Sequence, residues 1–232
     1  VVARSESGTD TKTLRVVGHP DSPFRFESSE RVSVHVVGSN GDDVMIGQKY
    51  GGSVFHGRGG DDHLVSGDGA TRLAGGDGDD TLYGAEDHDY NLGGAGNDYI
   101  WAYTGNDTLY GAEGTDSLYG GDGDDYLSGS WGSDVDAVMD GGNGNDTLSM
   151  SFLTAGRVFD FETGQARTTG GTVLGTLAGI ETFYGGSGDD RATAMTVADG
   201  KVWITGTTKT ALPAMATTLG KTDGFAVGLD ID

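Results

Sequence analysis

Aspartate is the residue of this chain whose spacing carries chemistry: it stands at positions 62, 80, 89, 98, 107, 116 and 125, nine or eighteen residues apart, with Thr71 in the one gap. Blocks of nine from Gly57 read GRGGDDHLV, SGDGATRLA, GGDGDDTLY, GAEDHDYNL, GGAGNDYIW, AYTGNDTLY, GAEGTDSLY and GGDGDDYLS, ending at Ser128. In these eight blocks the first residue is Gly six times, the fourth is Gly seven times, the sixth is Asp seven times and the eighth is Leu or Ile seven times. GSNGDDVMI from Gly38 is a further copy upstream, GSWGSD from Gly129 and GGNGNDTLS from Gly141 follow downstream, and GGSGDD from Gly185 is a last, partial one. Glycine reaches positive φ without strain, so glycines at the first and fourth positions predict a tight turn with its carbonyls facing inward. A short carboxylate at the sixth position joins those carbonyls in an all-oxygen shell, which suits a hard cation with about six to eight ligands.

The blocks resemble the G-G-x-G-x-D-x-U-x nonapeptide of the RTX family of calcium-binding repeats. The resemblance implies an all-β fold, a calcium-bound parallel β-roll. In that fold each nonapeptide makes a six-residue turn and a short strand, and two nonapeptides complete one coil. Aspartates 18 residues apart then stack on one edge: Asp62, Asp80, Asp98, Asp116 and Asp134 on the first, Asp89, Asp107 and Asp125 on the second. Asp43 and Asp146 are further metal ligands outside the strict period. Several Ca2+ ions are expected between successive turns. Thr71 marks a weak or empty site, Asp87 and Asn91 make the block from Gly84 the least regular coil, and the insertion Asp136 to Asp140 shifts Asp146 off strict stacking.

The charge agrees with this pattern. Acids outnumber bases 36 to 14, for a formal charge of -22, and between Gly38 and Ser149 there are 20 Asp and 2 Glu against Lys49, Arg58 and Arg72. Repulsion alone would accept Glu as readily as Asp, so the preference for Asp is positional. Val, Leu, Ile and Phe make up just under a fifth of the chain, which at this charge is the composition of a disordered segment. Calcium must therefore supply part of the drive to fold. The acidic balance argues against a nucleic-acid partner, no apolar run is long enough for a membrane span, and the lack of Cys removes disulfides and thiol chemistry. No HExxH, GxSxG or Walker loop is present, and His19, His35, His56, His63 and His88 are scattered. The reading is of a noncatalytic protein.

Flanking elements must hold the roll in place. Residues 1–37 carry alternating stretches from Leu14, Phe24 and Arg31 that predict strands in an N-terminal β cap, and residues 38–149 are the roll. Residues 150–184 are similar to a hairpin insertion found between RTX blocks; its turn is Glu162 to Gly164, and it should pack Phe152, Phe159, Phe161, Leu177 and Ile180 on the end of the roll. Residues 185–232 hold the partial repeat and a C-terminal β-rich cap that resembles one blade of the SBBP-type β-propeller repeats, with Asp199-Gly200, Val202 to Gly206, Pro213 and Asp223 to Asp230 in the matching places. Tyr83, Trp101 and Tyr119, 18 residues apart, form an aromatic ladder that serves either cross-strand packing or contact with a glycan or another subunit. A first residue of Val rather than Met reads as a processed or excised piece. The expected role is a secreted calcium-binding module with a structural, adhesive or assembly function at a bacterial surface or in an extracellular polymer. The alternative is the noncatalytic C-terminal export and folding module of a larger type I-secreted hydrolase.

Overall fold

The computed structural model describes residues 4–6, 13–20, 22–23, 25–27, 33–47, 52–130, 135–185, 191–193, 201–206 and 225–230. Among these residues every regular element is a strand, and the strands fall into two sheets of twelve and eleven. Consecutive strands of the repeat region alternate between the sheets, so each strand pairs with the next but one in the chain. The result is a parallel β-solenoid of two facing sheets, the β-roll implied by the repeat.

The local reason is the T-L-Y type triplet. A strand points successive side chains to opposite faces, so the eighth residue of each block turns inward while the seventh and ninth turn out. One sheet stacks Met45, Leu64, Leu82, Ile100, Leu118 and Met139 as direct neighbours. The other stacks Phe55, Leu73, Asn91, Leu109, Leu127, Leu148 and Phe183. All these side chains are buried, and between them they form one continuous core. Asn91 interrupts the apolar row, and neither its Oδ1 nor its Nδ2 has a hydrogen-bond partner.

The strands before Gly38 add coils to both sheets. Thr13–Val17 pairs in parallel with Ser33–Val37, which pairs in parallel with Ser53–Gly59, and Arg25–Glu27 pairs in parallel with Val44–Ile46. At the other end Arg157–Asp160 and Gln165–Thr168 form an antiparallel hairpin, followed by Val173–Ala178, which returns to lie parallel to Val138–Asn143. Phe159, Leu177 and Ile180 are buried there, and Phe161 packs partly buried against the core. Phe152 departs from the expectation, being 51% exposed. A tight turn, closed by Leu153 N–H donating to the Met150 carbonyl at 2.9 Å, sends Met150 and Leu153 inward instead and leaves Phe152 outside.

Beyond the hairpin, Lys201–Gly206 pairs in parallel with Thr182–Tyr184 and antiparallel with Phe225–Asp230, extending the twelve-stranded sheet. Most of the GGSGDD copy, the Asp199-Gly200 turn and Pro213 lie outside the described residues.

Candidate metal centre

The sixth-position aspartates line the two edges of the roll, each buried against the coil beside it. On the first edge the backbone N–H of Asp43 donates to Asp62 Oδ1 at 2.7 Å, Asp62 to Asp80 at 2.7 Å, Asp80 to Asp98 at 2.9 Å and Asp98 to Asp116 at 2.8 Å. On the second, Asp89 donates to Asp107 at 2.7 Å, Asp107 to Asp125 at 2.8 Å and Asp125 to Asp146 at 2.8 Å. Asp43 thus joins its column despite the odd spacing, and Asp146 joins across 21 residues despite the insertion.

Each of these bonds uses only one carboxylate oxygen. Oδ2 of Asp62, Asp80, Asp98, Asp107, Asp116, Asp125 and Asp146 is buried with no hydrogen-bond partner. A buried acceptor left unsatisfied is costly, and here it recurs at seven equivalent places. Burial pushes the carboxyls of Asp62, Asp80, Asp98, Asp107 and Asp146 up to about 7. Burial and then the neighbouring Asp136 push Asp116 up to about 8. Asp89 and Asp125 are raised for the same first reason. Bare carboxylates in such a place call for a cation.

The first-position glycines make the space. A Cβ on Gly57, Gly75, Gly93 or Gly111 would lie 1.8, 2.0, 2.1 or 2.3 Å from the Oδ2 of the aspartate five residues on. These glycines have no positive φ; the left-handed residues of the turn stand at the second and fourth positions, such as Gly76 (131°) and Gly78 (132°). The expectation from the sequence is corrected here. The first glycine is required by the carboxylate that sits on it, whereas the turn itself is made at positions two and four. The cradle and the orphaned oxygens both fit a hard cation.

Asp134 lies outside the described residues. Asp136, which the repeat spacing does not single out, takes the next place on the first edge: it is fully buried, and Asp116 N–H donates to its Oδ1 at 3.3 Å. Counting back from Gly141 puts the inward aliphatic at Met139 and so brings the carboxylate position to within one residue of Asp136. Glu181 extends the second column, accepting from Asp146 N–H at 2.8 Å. At Thr71 both the N–H and the hydroxyl donate to Asp89 Oδ1, at 2.8 and 2.7 Å.

A second ladder runs the other way. At position five, Asp61 N–H donates to Asp42, Asp79 to Asp61, Asn97 to Asp79 and Thr115 to Asn97, each reaching back one coil at 2.7 to 3.0 Å. On the second edge Asn106 N–H donates to His88 Nδ1 at 2.7 Å, Asp124 to Asn106 and Asn145 to Asp124, both at 3.0 Å.

The aromatic residues form a lattice rather than a simple column. Trp101 pairs in register with Tyr83 and Tyr119, yet its closest ring contact is Tyr103, stacked at 4.8 Å and 12°. Tyr99 bridges sideways to Tyr83 and Tyr119.

The family model of the RTX calcium-binding nonapeptide repeat matches residues 50–73, 56–90, 65–100, 92–118, 101–136, 138–149 and 176–195, together just over half of the chain. No curated protein matches it.

Proposed function

The chain belongs to the family of RTX calcium-binding nonapeptide repeats, and from that premise we propose that it holds several calcium ions along both edges and acts as a secreted structural or adhesive module that folds as it loads. Asp62, Asp80, Asp98 and Asp116 on one edge and Asp107, Asp125 and Asp146 on the other are the carboxylate ligands. The observation that carries this reading is the unpartnered buried oxygen on each of the seven. Among the described residues no three acidic or histidine side chains converge. Each ion therefore completes its shell of about six to eight oxygens with backbone carbonyls and water. Bound calcium supplies positive charge among like charges.

A ligand that binds only the folded chain stabilises it by mass action. A chain this acidic and this poor in core is thus unfolded where calcium is scarce and folded where it is plentiful, which suits export followed by assembly outside the cell. For contact with a glycan or a second copy the roll offers Trp101 and Tyr103, which are 38% and 41% exposed. Calorimetric titration with calcium, followed in parallel by circular dichroism and sedimentation, tests the proposal. Saturable heat, gain of β signal and formation of ordered polymers are expected. Absence of calcium binding ends the calcium reading, and a strictly monomeric loaded chain ends the assembly role.

A further inference from the structure

The stacked aspartates divide into two kinds according to the backbone of their own turn. Among the described residues, seven turns have a second residue with positive φ: Arg58 (91°), Gly76 (131°), Gly94 (133°), Tyr103 (74°), Ala112 (80°), Gly121 (117°) and Gly142 (101°). The fourth residue of the same turns, from Gly60 to Gly144, is left-handed too. These are the turns of Asp62, Asp80, Asp98, Asp107, Asp116, Asp125 and Asp146, the aspartates with the unpartnered oxygen. Their second residues belong to the ladder between coils, where Arg58 pairs with Gly76, Gly76 with Gly94, Gly94 with Ala112 and Tyr103 with Gly121.

The turns of Asp43, Asp89 and Asp136 are built differently. Their second residues, Ser39, Ala85 and Ser130, have no positive φ, and each donates its N–H to the Oδ2 of its own aspartate, at 2.6, 2.8 and 3.1 Å. A hydroxyl completes the other oxygen in all three: Ser39 on Asp43, Ser130 on Asp136 and Thr71 on Asp89. For a cation to enter, a charge-assisted hydrogen bond would have to break and a buried donor would be left unsatisfied. In the open turns nothing has to be displaced. Arg58, Tyr103 and Ala112 moreover hold a conformation that side chains other than glycine adopt only at a cost, and a bound ion offsets it.

We infer that the turn has two states, open and sealed, and that Asp43, Asp89 and Asp136 bind no calcium but delimit the ion columns. The inference rests on the calcium reading above. The first column is sealed at both ends, by Asp43 and Asp136, around Asp62, Asp80, Asp98 and Asp116. The second is sealed by Asp89 at its start and runs on through Asp107, Asp125 and Asp146.

Two measurements on the full chain test this. Calcium bound per chain, counted after equilibrium dialysis, should be unchanged in Asp43→Asn, Asp89→Asn and Asp136→Asn, and lower by at least one ion in Asp98→Asn and Asp107→Asn. Loss of an ion from any of the first three overturns the inference. The second uses one substitution at one repeat position in two turns, and both variants leave every carboxylate in place. Ala112→Gly relieves a left-handed alanine and should lower the calcium midpoint by about three- to tenfold, whereas Ala85→Gly gains no such relief and should raise it. Shifts in the same direction overturn the two-state turn. A parent chain that binds no calcium removes the calcium reading and this inference with it, while a calcium-binding parent whose Asp89→Asn variant loses an ion removes the inference alone.

Discussion

Asp98 and Asp116 touch across one coil of the roll: the backbone N–H of Asp98 donates to Oδ1 of Asp116 at 2.8 Å, and the other oxygen of Asp116 has no partner. One carboxylate therefore serves the coil behind it through a hydrogen bond and keeps its second oxygen for the proposed cation. Asp116→Ala is expected to weaken calcium binding at least about tenfold and to cost the loaded roll about 1–3 kcal/mol through the stranded N–H. Calorimetric titration and a thermal melt in saturating calcium check the two parts separately.

Chelation should dismantle the repeat region. Seven bare buried carboxylates on a chain of net charge -22 leave the roll without its neutralising charge. Loss of most of the β signal in excess EGTA, restored on adding calcium, is the expected result. An unchanged spectrum would mean that the core and backbone ladder suffice alone.

Acid should partly replace the ion. The carboxyls of Asp62, Asp80, Asp98, Asp107 and Asp146 titrate at about 7 in the fold, and that of Asp116 at about 8, against an ordinary 3.8. Groups raised by folding add stability when protonated, fully so below the unfolded value, and that stability is lost as pH rises through the folded value. With calcium removed, the β signal should be greater at pH 5.5 than at pH 8.5. The reverse order would contradict the burial of these groups.

Gly93→Ala should abolish a site without replacing any ligand. Its Cβ would lie 2.1 Å from Asp98 Oδ2, whereas a Cβ on Gly170 meets only the Thr168 hydroxyl, at 3.7 Å. The first variant is expected to lose calcium affinity and the second to match the parent in titration and melt. Equal behaviour would remove the steric role of the first glycine.

Asn91→Leu should stabilise the roll. Asn91 sits between Leu73 and Leu109 in the inward row with both polar atoms unpartnered. Leucine restores the apolar column and is expected to add about 1–3 kcal/mol, read as a raised melting temperature with the calcium count unchanged.

The column of Leu64, Leu82, Leu118 and their neighbours was legible because the period of nine places one inward residue per strand. The stacked aspartate columns were legible for the same reason. The role of Gly75 was not: a glycine needed for space and one needed for positive φ look alike in sequence, and only the position of Asp80 Oδ2 separates them. Asp136 was hidden by the insertion, since a fixed count from Asp116 lands on Asp134. The parallel stacking of Thr13–Val17 on Ser33–Val37 was hidden as well. Alternation in Leu14, Val16, Val34 and Val36 predicts strands, but a pairing across 20 residues leaves no local mark. Sealed and open turns share one consensus, and what distinguishes them is backbone handedness at the second position, which Ala85 and Ala112 adopt oppositely with the same side chain.

The opposed ladders give the roll a mechanical character. Asp79 N–H reaches back to Asp61 while Asp62 N–H reaches forward to Asp80, so the boundary between these coils is gripped from both sides. Tension along the axis of the stack loads these bonds in parallel, and a coil in the middle of the stack is pulled equally by both neighbours. Under load such a rod parts at a single boundary, where the bonds of both ladders must break together.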